Sequence, residues 1–164
     1  MKASDRWTAW IKENSESFFL YARQQCRSES DAKDVLQEAL TETWERSGRT
    51  LPDRALVFAT IRRRAIDLAR SMDRRVIREL DFGSAGPGVF CPDFSARDLC
   101  HHLSSAVEAL PDLLQEVLIL RIWGGLTFPD IAKLMKIPVA TATSRYRYAL
   151  ERLRESAALT ELKP

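Results

Sequence analysis

A chain of 164 residues and 18.7 kDa holds one medium domain or two small ones sharing a linker, which excludes a large multidomain enzyme. With 45% hydrophobic and 29% charged residues the composition is that of a globular protein, neither disordered nor membrane-embedded. The net charge of +2, from 25 Lys and Arg against 23 Asp and Glu, excludes a histone-like polyelectrolyte and leaves the distribution of charge to carry the information.

No apolar run approaches the roughly 20 residues that span a bilayer, and Met1 to Trp10 lacks the long apolar core of a signal peptide, so a cytoplasmic location without membrane insertion is expected. Cys26, Cys91 and Cys100 are odd in number and unevenly spaced, as expected of thiols in a reducing compartment. Charge is segregated along the chain. Residues 1–60 carry −1, 61–79 carry +4, 80–113 carry −4 and 114–164 carry +3, so two basic zones flank an acidic middle. That middle holds Asp81, Gly83, Gly86, Pro87, Gly88, Pro92 and Asp93, a density of backbone breakers that reads as a linker over 81–98. Both flanks show i, i+3, i+4 apolar stripes and neither shows the alternation of strands, which predicts an all-α chain of two small helical domains joined by a flexible linker.

Trp7, Trp10, Ile11, Phe18 and Phe19 supply the bulk of a first helix that ends near Cys26 and Arg27. Asp31 to Arg46 then puts Val35, Leu36, Ala39, Leu40, Thr43 and Trp44 on one stripe, suited to burial. Asp34, Gln37, Glu38, Glu42 and Glu45 line the opposite, acidic face, which by itself suits a solvated surface or a docking face. Ser47 to Asp53 is a polar turn whose Pro52 fits the first turn of the next helix. From Arg54 to about Arg75, Phe58, Ile61, Ala65, Ile66, Leu68 and Met72 form an apolar stripe. Arg63, Asp67, Arg70 and Arg74 follow i, i+4, i+7, i+11, so one polar stripe carries three guanidiniums able to grip phosphates or to remain solvated.

In the second half, Leu110 to Trp123 begins with Pro111 in a first helical turn and stays apolar through Leu114, Val117, Leu118 and Leu120. Gly124 and Gly125 end it, and Thr127 to Asp130 fits a capping box for a short helix through Lys136. A tight connection at Ile137 and Pro138 leads to a helix from about Val139 into Arg154, the pattern of a helix-turn-helix, with Val139, Ala142, Tyr146, Ala149, Leu150 and Leu153 as its core stripe. Thr141, Ser144, Arg145, Arg147 and Tyr148 lie near its start as phosphate and base-edge partners, where a basic helical hairpin is the plainer alternative.

DAKDVLQEALTETW, IRRRAIDLAR and the stretch from LPDLLQEVLILRIW to SRYRYALERLR, in this order, resemble the acidic polymerase-binding helix, the promoter-opening segment and the C-terminal helix-turn-helix of extracytoplasmic-function sigma factors, the compact members of the bacterial sigma-seventy family. The resemblance implies a domain over 1–80 that binds core polymerase and the minus-ten element, and one over 99–164 that binds the minus-thirty-five element. It implies bacterial core RNA polymerase and promoter DNA as partners and requires no cofactor. It also allows control by an anti-sigma protein, which no residue identifies. Asp34, Val35, Leu36, Gln37 and Glu38 would dock on the clamp helices of the largest subunit. Arg62, Arg63, Arg70 and Arg74 would meet the backbone near the minus-ten element, and Thr141, Ser144, Arg145, Arg147 and Tyr148 the upstream duplex.

Four positions depart from the family pattern. Arg63 stands where Asn is usual, and the turn Ser47 to Asp53 has no aromatic residue with which to capture a flipped base. Lys136 replaces a common turn glycine, which requires a different turn or a non-glycine residue at positive φ, and Thr143 replaces a frequent Lys. Other functions find less in the residues. No P-loop or dinucleotide glycine pattern is present, which argues against an enzyme, and Cys91, Cys100, His101 and His102 match no common closed zinc spacing. A regulator that has lost polymerase binding, and an adaptor that binds only proteins, remain the alternatives of a different class.

Overall fold

The computed structural model describes residues 3–48, 50–79 and 105–161, and every regular element among them is helical. The chain divides into two compact units, Met1–Pro87 and Gly88–Pro164. The linker read at 81–98, and with it Cys91, Cys100, His101 and His102, lies outside the described residues.

The first unit is built from α1 (Ala3–Gln25), α2 (Glu29–Arg46) and α3 (Arg54–Glu79), each packed on the other two. Aromatic side chains fill its centre. Phe18 and Phe58 are fully buried and meet edge to face at 4.9 Å, Tyr21 meets Phe58 at 5.4 Å, and Trp7 lies 4.6 Å from Trp44, so rings from all three helices interlock. Val57 and Ile61 of α3 and Val35 and Ala39 of α2 complete the core. Its buried hydroxyls and amides are satisfied locally: Thr43 donates to the Ala39 carbonyl at 2.8 Å and Asn14 to the Trp10 carbonyl at 2.8 Å. Cys26 is buried here too, and burial, with Asp31 adding to it, pushes its thiol up to about 11, which makes it a packing residue and a poor nucleophile.

The helix boundaries follow from caps. Ser28 caps α2, its hydroxyl accepting the Asp31 amide at 3.1 Å, so the helix starts at Glu29, two residues ahead of the Asp31 start read from the sequence. At α3 the sequence expectation is corrected. Pro52 lies before the helix, while the Asp53 carboxylate accepts the Ala55 amide at 3.2 Å and the Asp53 carbonyl accepts the Val57 amide at 3.3 Å. An Asp that can satisfy an unpaired first-turn amide takes the cap, and Pro52 is buried one residue outside it.

The second unit holds a helical turn at residues 105–108, then α4 (Asp112–Ile122), α5 (Phe128–Met135) and α6 (Val139–Glu161). Helix α4 is buried continuously from Leu114 to Leu120, including Gln115, whose amide donates to the Val107 carbonyl at 3.2 Å. Val107, Leu110, Leu114 and Leu118 form the core with Ala149 of α6, and Trp123, Tyr146, Leu150 and Leu153 pack against it. Pro111 occupies the cap of α4 itself, with extended backbone at φ −53 and ψ 143, and the helix begins one residue later. Gly124 closes α4 where a Cβ would stand 2.5 Å from the Leu120 carbonyl oxygen, and Gly125 follows at φ +64, so neither site accepts a side chain without strain.

Thr127 caps α5. Its hydroxyl accepts the Asp130 amide at 3.3 Å and donates to the Asp130 carboxylate at 2.8 Å, so Asp130 reaches back to the capping side chain. Lys136 ends α5 in the left-handed region, at φ 57 and ψ 47, with its amide bonded to the Ala132 carbonyl. It is the one non-glycine residue at positive φ among those described, and the turn keeps its usual shape at the expense of a Cβ clash. Replacing Lys136 by Gly removes that clash and is expected to stabilise the second unit by about 1 kcal/mol. Native-state hydrogen exchange of the α5 and α6 amides, slowed about fivefold in the variant, checks this.

Candidate functional site

The outer surface of the first unit is set by how α2 divides its residues. Asp34, Gln37 and Glu38 are exposed, Leu36 is half-buried, and Val35 at 3% exposure points into the core. The docking set read from the sequence is therefore one face with a foundation. Val35 holds α2 against its neighbours, and the residues on either side of it meet solvent.

One turn further along, Glu42 is only 16% exposed and gathers three guanidiniums. Arg63 hydrogen-bonds its Oε1, Arg64 approaches Oε2 through Nη2 at 2.9 Å and Nε at 3.0 Å, and Arg46 reaches Oε1 at 3.3 Å. Arg64 also bonds Glu38 at 3.1 Å. The hydrogen bond from Arg63, with further help from Arg64, outweighs burial and holds the Glu42 carboxyl below its ordinary value. Glu42 thus joins α2 to α3 at the edge of both candidate surfaces. Neither it nor Arg64 belongs to the site set read from the sequence. The available signal was the spacing of Glu38, Glu42 and Arg46, four apart on one helix face, opposite the arginine run.

On α3 the four arginines of the phosphate-gripping set fall into different settings. Arg63, half exposed, is bound to Glu42 from behind, and Arg62 is half-buried. Arg70 and Arg74 are exposed, with the Arg74 Nε donating to the Arg70 carbonyl at 3.2 Å, which steers that side chain back along the helix. Asp67, Arg70, Asp73 and Arg74 line a surface depression of about 530 Å³, and Asp73 is bridged at 3.2 Å by Arg27 from the end of α1. Of the stripe read from the sequence, Asp67, Arg70 and Arg74 share this depression, Arg63 lies apart beside Glu42, and Asp73, outside that stripe, joins them partly neutralised by Arg27.

In the second unit, α5, the turn at Lys136 and α6 form the helix-turn-helix, braced by Arg121 of α4. The Arg121 guanidinium donates to the Leu126 carbonyl at 2.8 Å and lies 4.8 Å from the Phe128 ring centre, and Phe128 meets Tyr146 edge to face at 5.4 Å. Of the α6 set, Ser144, Arg147 and Tyr148 are exposed and Thr141 and Arg145 are half-buried. Ser144, Arg145, Arg147 and Tyr148 share a groove of about 550 Å³ with Glu151 and with Leu114 of α4. The Tyr148 ring carries the Arg152 guanidinium 5.4 Å from its centre, so a half-exposed aromatic and a cation are presented together. One core assignment is corrected: Val139 is 46% exposed, because Ala142 and Ala149 take the buried seats of α6 and the first residue of the helix projects beyond the core.

Among the described residues no group of three His, Cys, Asp or Glu is placed to hold a metal ion, and no helix is long and apolar enough to cross a membrane. The exposed chemistry is carboxylate on α2 and guanidinium, hydroxyl and phenol on α3 and α6.

Residues 102–153 match the protein family described as Sigma-70, region 4. Over 130 residues, 77% of this chain and 72% of the relative, the sequence is 26% identical to the ECF RNA polymerase sigma factor RpoE of Cereibacter sphaeroides. The fold is similar to that of a chain in the co-crystal structure of the sigma factor RpoE in complex with the anti-sigma factor NepR from Bartonella quintana. The TM-score is 0.72 at 20% identity, covering 93% of this chain and 97% of that one.

The Glu42 cluster has a pH signature. Its carboxyl pKa is lowered by folding, so its contribution is complete above the ordinary carboxylate value of 4.5 and is lost as pH falls through the depressed one. Glu42→Gln is expected to cost the first unit about 1 kcal/mol at neutral pH, a small figure because Arg63 is half exposed. The loss should shrink as pH falls below the ordinary carboxylate range. Urea unfolding followed by near-ultraviolet circular dichroism at neutral and acid pH measures both.

Proposed function

We infer that this chain acts as an RNA polymerase sigma factor of the extracytoplasmic-function group, directing bacterial core polymerase to promoters and assisting their melting in transcription initiation. The observation that carries the reading is the pairing, in one short chain, of a three-helix unit with an exposed acidic face and a helix-turn-helix that matches sigma-70 region 4. The sequence likeness to a named ECF sigma factor across both units supports it.

Asp34, Gln37 and Glu38, with half-buried Leu36, form the face offered to polymerase, and Val35 fixes the helix behind them. Carboxylates on a rigid helix suit a basic partner surface, where charge complementarity sets orientation and on-rate. Arg62, Arg70 and Arg74 meet the DNA backbone near the minus-ten element, and Arg63 presents its guanidinium with Glu42 as its counter-charge. On α6, Ser144, Arg147 and Tyr148, flanked by Thr141 and Arg145, meet the minus-thirty-five duplex, as the second helix of a helix-turn-helix meets a major groove. The division of labour follows the expected domains, 1–80 and 99–164. Bond-forming chemistry belongs to the polymerase. The sigma factor contributes binding energy that favours melted over duplex promoter, and a shift of that equilibrium needs only differential affinity.

The work is cytoplasmic, where polymerase and DNA are. Control by an anti-sigma protein fits the same surfaces, since a partner that covers the α2 face and α6 blocks both steps at once. The similar fold seen in a complex with the anti-sigma factor NepR supports that reading.

Reconstitution with bacterial core polymerase and genome-wide run-off transcription tests the function and reports the promoter together. Start sites sharing an upstream element are the expected result; core binding without promoter-dependent transcripts would favour an adaptor. Asp34→Arg is expected to weaken core association roughly tenfold or more, since like charges are then juxtaposed, and to leave DNA binding by the full chain unchanged. DNA binding without core association in the wild type would point to a regulator that has lost its polymerase contact. Thr143→Lys adds one phosphate contact and steepens the log-log salt dependence of promoter binding by about one unit. An unchanged slope would show that a side chain as long as lysine at this position reaches no phosphate.

A further inference from the structure

We propose that the leading turn of α6 reads thymine methyl groups in the upstream promoter duplex, with Val139 and Thr143 as its specificity-determining residues; this rests on the sigma-factor reading above. Val139 is the first residue of α6 and is 46% exposed, although its place in the apolar stripe predicts burial. The core of the second unit is closed without it, by Ala142 and Ala149 at 0% exposure and by Tyr146, Leu150 and Leu153. Leaving a β-branched apolar side chain in water at a helix start gives up burial and helix propensity together. Packing within the unit therefore gives no account of this residue.

Its neighbours share the character. Ala140 and Thr143 are also exposed, and the Thr143 hydroxyl donates to the Val139 carbonyl at 3.0 Å, committing its only proton inside the helix. Val139 and Thr143 are four residues apart and so lie on one face. The exposed residues at the start of α6 thus present methyl groups and a hydroxyl whose donor is spent. Thr141 beside them is half-buried, and the exposed polar readers follow at Ser144 and Arg147.

In a helix-turn-helix the N-terminal residues of the second helix are the ones that reach base edges. The major groove edges of guanine, adenine and cytosine are read through donors and acceptors. Thymine alone adds an apolar group, the C5 methyl, which aliphatic and threonine side chains contact. A leading turn that offers methyl groups matches that feature and discriminates poorly among the others.

The test uses holoenzyme assembled from core polymerase and the full chain, on duplexes carrying the upstream element defined by run-off transcription. Each thymine is replaced in turn by deoxyuridine, which keeps pairing and removes only the methyl. At least one replacement is expected to weaken wild-type binding about fourfold, the worth of one buried methyl-sized group. The same replacement is expected to be silent for Val139→Ala or for Thr143→Ser, which retains the hydroxyl. Wild-type binding indifferent to every deoxyuridine, an element without A·T pairs, or sensitivity retained in both variants would overturn the proposal. Failure of the wild type to select any upstream element overturns the sigma-factor reading, and this inference with it.

Discussion

The sorting of charge on the first unit turns on the carboxylate of Glu42. Helix α2 must bury one side against α1 and α3 and expose a row of acids on the other, while α3 brings three consecutive arginines alongside. Unpaired, like charges within each row would repel, and only the buried core would hold the two helices in register. Glu42, mostly shielded from solvent and bonded by Arg63, Arg64 and Arg46, locks the two helices at their shared edge. The pairing also sorts the charges. Asp34, Gln37 and Glu38 remain outward on the acidic side, Arg70 and Arg74 remain outward on the basic side, and the groups between them are spent on structure.

The same economy appears in the second unit through a different device. Helix α4 is buried all round from Leu114 to Leu120, so it works as a post on which α5 and α6 are mounted. Arg121, at its end, is a cation used entirely as a brace, to a carbonyl and an aromatic face. On α6, Ala142 and Ala149 sit fully buried and Tyr146, Leu150 and Leu153 pack beside them, while Ser144, Arg147 and Tyr148 face outward. A near-neutral chain can therefore present an acidic face on one helix and basic faces on others. Its ions are allotted helix by helix, and those not needed outside are neutralised within the fold.

Much of this was legible in the residues. Helical class, the number of helices in each half, the aromatic filling of the first unit, the Thr127 cap and a positive φ at Lys136 all follow from local chemistry: periodicity, hydrogen-bonding side chains and the steric demand of a tight turn. The acidic and basic faces were legible for the same reason, since a helix sets which of its own residues share a side. What escaped was pairwise and distant. Arg63 and Glu42 are 21 residues apart, and no periodicity within either helix tells which arginine of three finds which acid of a row.

Val35 and Val139 show that limit most plainly. Both are valines on an apolar stripe suited to burial. The fold buries Val35 at 3% exposure and leaves Val139 at 46%. Periodicity alone determined that each belongs to a helix and to an apolar side of it. Only the tertiary structure decided whether another helix lies opposite. Burial is a property of the neighbour that covers a side chain, and for α2 that neighbour lies opposite Val35, while for α6 it begins only at Ala142.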